Sequence, residues 1–188
     1  MFIQTENTPN PRTMKFIPGV EVMENGTVTF TDAEAATQSP LAEALFGINH
    51  VAGVFFGADF VTVTHDGEGE WSTLKPYILS TVMDHFISGQ SLLKESQSLA
   101  FEATSTAIED DDEVVLQIKE LIDTRVRPAV AEDGGDITYR AFESGVVYLE
   151  LRGACSGCPS STATLKDGIE NMLKHYVPEI ARVEAVGV

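Results

Sequence analysis

The chain has 188 residues, 43% of them apolar, which suits one medium domain or two small ones with packed cores and no disulfide staples. Its 29 Asp and Glu outweigh 12 Lys and Arg for a formal net charge of −17, and so acidic a surface argues against nucleic acid or a membrane as partner. Two cysteines make no disulfide scaffold and no apolar run approaches spanning length, so a soluble, intracellular protein is expected.

The opening "MFIQTENTPNP" lacks both the charged start and apolar run of a signal peptide and the Arg-rich face of a transit peptide. "MKFIPG", "GTVTFTD" and "GVFFGADFVTVTHD" read as strands, rich in β-branched and aromatic residues and punctuated by Gly, Pro and Asp. "SPLAEALFGI" reads as a helix with Ser39 as N-cap and Pro40 at the first position. "EWSTLKPYILSTVMDHFIS" is a second helical pattern, with Leu74, Ile78, Val82 and Phe86 along one face and Pro76 expected in its first turn. Residues 1–92 therefore predict an α+β domain, helices against an antiparallel sheet.

Residues 93–112 are small, polar and acidic, ending in the run Glu109 to Asp112, and predict a flexible acidic linker. Residues 113–188 predict a second small α+β domain in the order α-β-β-α-β. "EVVLQIKELIDTRVRPAVA" is helical, with Val114, Ile118, Leu121, Ile122 and Arg125 to Val126 on one stripe and Asp112 as N-cap. "EDGGDI" is a tight turn, and "DITYRAFESGVVYLELRGA" is a hairpin about Glu143-Ser144-Gly145. A cysteine loop follows, then a helix with Leu165, Ile169, Met172, Leu173 and Tyr176 inward, and a last strand "RVEAV". Charge is uneven: residues 1–112 hold 4 Lys/Arg against 17 Asp/Glu, net −13, and residues 113–188 hold 8 against 12, net −4. The acidic half suits basic protein partners, or serves solubility alone.

The loop "GACSGCPSSTATL" holds the only cysteines, Cys155 and Cys158, spaced C-x-x-C. Lying between a strand and a helix N-terminus, it is expected to present two activated thiolates outward. Three readings compete. A thiol–disulfide oxidoreductase also keeps its dithiol at a helix N-terminus, but the motif is not flanked by βαβ order here. A zinc site needs four ligands, and His50, His65, His85 and His175 are scattered without partner spacing. An iron–sulfur cluster also wants four thiolates, and a symmetric dimer facing two such loops across a two-fold axis supplies them.

"DTRVRPAVAEDGGDITY" followed by "GVVYLELRGACSGCPSSTATLKDGIENML" closely resembles the NifU-like C-terminal domain of the Nfu iron–sulfur scaffold proteins. Arg127-Pro128, the Asp133-Gly134-Gly135-Asp136 turn and Leu151 leading into Cys155-x-x-Cys158-Pro159 carry the resemblance. "MFIQTENTPNPRTMKFIPG", with Thr8-Pro9-Asn10-Pro11 and Lys15-Phe16, looks like the start of that family's amino-terminal domain. The resemblance implies a [4Fe–4S] cluster shared between two subunits through Cys155 and Cys158 of each, in a homodimer, and its transfer to apo-proteins such as lipoyl synthase or aconitase. It implies a carrier and no enzyme. The location expected is a bacterial cytoplasm, with the mitochondrial matrix as alternative.

Other residues read as structural. Asp133 and Asp136 belong to turn chemistry. Arg127 and Arg152 either attract an anionic cluster and lower the thiol pKa values or serve at the surface. Trp71, Tyr77, Phe55, Phe56 and Phe60 are a docking patch or core, with Trp71 the expected exception. Ser160 to Thr162 cap a helix and are not nucleophiles, because no His or Asp is placed to activate them.

Overall fold

The computed structural model describes residues 2–94, 113–156 and 159–186, without the side chains of 159–161. The expected linker from residue 95 onward, the Asp112 cap and Cys158 lie outside the described residues. Among those described, no helix is long and apolar enough to cross a membrane.

The first unit is an antiparallel five-stranded sheet with helices on one face. Its strands are β1 (Gln4–Asn7), β2 (Thr13–Ile17), β3 (Val28–Phe30), β4 (Val51–Phe56) and β5 (Val61–His65), in the spatial order β1-β2-β5-β4-β3. The register pairs Phe16 with Val61 and Val54 with Val63, so one face gathers Met14, Phe16, Val28, Phe30, Val54, Phe56, Val61 and Val63. Phe30 meets Phe56 edge-on with ring centroids 5.4 Å apart. Against this face pack α1 (Ala33–Ala36), α2 (Pro40–Phe46) and α3 (Trp71–Ser88), which bury Leu41, Leu45, Leu74, Ile78 and Val82. Each such side chain contributes about 1.5–3 kcal/mol of burial. Ser39 caps α2 as expected, its hydroxyl accepting from the Ala42 N–H at 3.2 Å with Pro40 at the first position.

Two details differ from the sequence pattern. Pro76 is the sixth residue of α3, beyond the first turn. It is tolerated because Pro76 and Ser72, whose carbonyl loses its donor, both lie on the exposed face. On the same helix His85 is buried beside Phe86, which is half-buried and packs on the core, and the two rings meet edge-on with centroids 5.4 Å apart. The chain also stays attached to this unit past residue 92. Leu92 and Leu93 pack on its core, and the Lys94 N–H donates to Gln38 O at 3.0 Å.

The second unit follows the expected α-β-β-α-β order. Helix α4 (Glu113–Leu121) runs through a π-helical turn, Ile122–Val126, into α5 (Arg127–Glu132). The Arg127 N–H reaches five residues back to Ile122 O. Pro128 follows at once; it has no N–H to give, and the widened turn relieves its ring against the preceding carbonyls. Ile118, Ile122, Val126 and Val130 stay on one buried stripe, while Arg125 is exposed.

Strands β6 (Gly135–Glu143) and β7 (Val146–Gly153) form the hairpin, joined by Ser144 and Gly145 at φ 50° and 79°, the signs of a two-residue type I′ turn. Helix α6 (Pro159–Tyr176) returns the chain so that β8 (Arg182–Val186) pairs parallel to β7. Glu170 on α6 pins that edge by accepting the Val183 N–H at 3.0 Å. Ile169 and Leu173 are buried as expected, whereas Tyr176, the last residue of α6, is exposed and lies 5.0 Å from the Arg125 guanidinium. Val177 closes the core instead.

Candidate metal centre

The cysteine loop begins where β7 ends. Gly153 takes φ 68°, turning the chain, and Ser156 closes the turn through its N–H and its hydroxyl, both donated to Gly153 O at 3.1 and 2.9 Å. One residue on, the Ala154 N–H donates to Gly134 O at 3.1 Å, so the loop is laced to the "EDGGDI" turn. From α6, the Thr162 hydroxyl donates to Cys155 O at 3.0 Å. Thr162 thus serves the loop backbone and is no nucleophile.

These ties place the Cys155 thiol inward. Cys155 is 4% exposed and belongs to the core with Val130, Ile137, Leu151 and Ile169. Burial pushes the thiol up to about 12, and the carboxylates of Asp133 and Asp136 push the same way. The expectation of an outward, activated thiolate is therefore corrected at Cys155, where low dielectric and two like charges outweigh the nearby helix start. A thiol so placed is the opposite of the depressed nucleophile that thiol–disulfide exchange uses.

Gly135 is the site residue that sequence reasoning missed. A Cβ there would lie 2.6 Å from Cys155 Sγ and 2.7 Å from Arg152 O. Gly134 has φ 79° and needs glycine for its backbone, whereas Gly135 lies outside the left-handed region and needs it for space. The doublet's resemblance to an ordinary turn hid that difference.

The two arginines do not serve the thiol. Arg127 is committed to Asp123 at 2.8 Å, to Asp136 at 3.1 Å and, as donor, to Ile137 O at 3.1 Å. Arg152 pairs with Glu150 at 2.7 Å, and Arg140 bonds the same carboxylate. Burial raises Glu150, but the two guanidiniums more than offset it and hold its carboxyl below the usual range. Asp136 is structural as read, with Arg127 among its partners.

The histidines stay scattered. His50 pairs with Asp66 at 3.0 Å, His65 packs edge-on against Trp71, and His175 stacks on Tyr176. Among the described residues, the group with metal-ligand spacing is His50, Asp66 and Glu68, all exposed and in the first unit. The aromatic docking patch does not assemble: Phe55, Phe56 and Phe60 are buried and Trp71 is half-buried, its indole N–H donating to Pro11 O at 3.0 Å. Tyr77 alone of the five is exposed.

Residues 3–89 match the family described as scaffold protein Nfu/NifU N terminal, and residues 118–184 match the NifU-like domain. A human protein named NFU1 iron-sulfur cluster scaffold homolog, mitochondrial, is 54% identical over 187 residues, covering 99% of this chain and 72% of its own. The chain belongs to the Nfu family of iron–sulfur cluster scaffold proteins. Nfu relatives extend across kingdoms. The Drosophila sechellia protein of the same name is 51% identical over 99% of this chain, which spans 65% of that protein's length. An Arabidopsis thaliana protein named NifU-like protein 4, mitochondrial, is 56% identical over 98% of this chain and 65% of its own. All three names give mitochondria, so the bacterial cytoplasm expected from the sequence finds no support among them.

Proposed function

We propose that this chain is a non-enzymatic iron–sulfur scaffold and carrier, holding a [4Fe–4S] cluster between two copies through Cys155 and Cys158 of each and passing it to apo-proteins. The observation that carries the reading is the cysteine loop, laced to the "EDGGDI" turn by Ala154 and to α6 by Thr162, in a chain with two thiols in all. Four thiolates hold such a cluster, so one chain supplies half the ligands and a two-fold pair supplies the set. Each thiol gives its proton to solvent as its sulfur bonds iron. The cluster is cargo, and an edge shared between chains opens to an acceptor without unfolding either one.

Acceptors are apo iron–sulfur enzymes of the lipoyl synthase or aconitase kind. The mitochondrial names of the relatives favour the matrix as the place of action. The test is transfer: chain reconstituted anaerobically with iron and sulfide should restore activity to apo-aconitase, and the Cys155→Ser and Cys158→Ser chains should not. Full activation by either variant would reject the reading.

A further inference from the structure

We propose that the chain stores Cys155 in a closed seat built around Gly135, and that residues 153–156 must swing this thiol out before it ligates a cluster. The proposal rests on the reading of Cys155 as a ligand. Three observations converge on the seat. Sγ occupies the space a side chain at position 135 would fill, 2.6 Å from an ideal Cβ. The loop is held shut by Ala154 N–H to Gly134 O and by Thr162 Oγ1 to Cys155 O, at 3.1 and 3.0 Å. The residue is 4% exposed, so its sulfur is largely shielded from an iron atom arriving from outside.

The chain therefore has two arrangements. In the closed one the thiol is shielded from oxidants and electrophiles. In the open one the Ala154 and Thr162 hydrogen bonds are released and the sulfur faces solvent. Gly135 is a positioning residue: it does not touch the cluster but sets how much of the chain is closed. Its backbone φ makes no demand for glycine, so the demand comes from the seat.

The test is alkylation of the full-length apo chain carrying Cys158→Ser, with iodoacetamide at fixed pH, read by mass spectrometry. The closed seat predicts that Cys155 reacts about 100-fold slower in the folded chain than in denaturant, because reaction waits on local opening. Gly135→Ala fills the seat and should speed the folded reaction about tenfold under the same opening-limited regime. Thr162→Val removes one tie and should also speed it, and this variant decides the matter if Gly135→Ala loses cooperative unfolding. A folded rate within about threefold of the denatured one, or a folded variant that reacts no faster, would overturn the proposal. Iron uptake by the parent chain separates the two readings. Fast alkylation with normal uptake retires the seat alone, whereas slow alkylation with no uptake retires the ligand reading and the seat with it.

Discussion

Cys155, Gly135, Asp133 and Asp136 together decide how the thiol behaves before any metal arrives. The fold holds the thiol up from 9.0 to about 12, so the folded chain keeps a proton that the unfolded chain gives up. The sign follows: this contribution to stability is complete below pH 9 and is lost as pH rises from 9 toward 12. Urea midpoints of the apo chain should therefore fall over that window, and the Cys155→Ala chain should show a shallower fall; equal slopes would contradict the buried thiol. Cys155→Ser should keep the fold at a cost of about 1 kcal/mol for a hydroxyl in an apolar seat, yet take up no cluster. The C-x-x-C pair reads as a thiol site from its spacing alone. Burial was not legible, since it arises from a glycine twenty positions earlier in the chain whose role is only an empty volume.

At the scale of elements, local chemistry was read correctly where it is self-contained and missed where the sheet or a neighbour decides. The Ser144-Gly145 turn carries its own chemistry, two positive φ values, and neighbours reinforce it: Ala181 Cβ and Glu179 O lie 3.2 Å from where a Gly145 Cβ would stand. Gly145→Ala should cost about 1–3 kcal/mol for the strained backbone, measured by denaturant unfolding; a neutral result would mean the hairpin takes another turn. Strand β1 went unread because "QTEN" has no apolar alternation; it exists as a polar edge paired to β2. The π-helical turn went unread because its cause, Pro128, lies two residues past it. In α3 burial holds His85 below its ordinary value, so its contribution is present above pH 6.5 and lost as pH falls through the lower folded value. His85→Leu should shift the acid unfolding midpoint of the first unit downward in a circular-dichroism titration, and an unchanged midpoint would contradict that assignment.

At the scale of the whole molecule, composition sets the two halves of the chain apart. Both thiols belong to the second unit, and residues 1–112 carry net −13. A carrier whose first unit docks clients gains local concentration for its cluster, so a chain of residues 113–188 should load normally but activate an acceptor more slowly at low concentration. That gap should narrow as concentration or salt rises; equal rates at low concentration would leave the first unit a structural role. The division into two α+β units was legible because each carries its own periodic pattern, strands and helices before the acidic stretch and α-β-β-α-β after it. The proposed partnership between chains rests on arithmetic alone, four ligands wanted and two present. Native mass spectrometry of the anaerobically reconstituted chain tests that arithmetic most directly. The account predicts two chains carrying about four iron and four sulfide, collapsing to cluster-free chain when Cys155 or Cys158 is replaced by Ser; a single chain holding the intact cluster would contradict it.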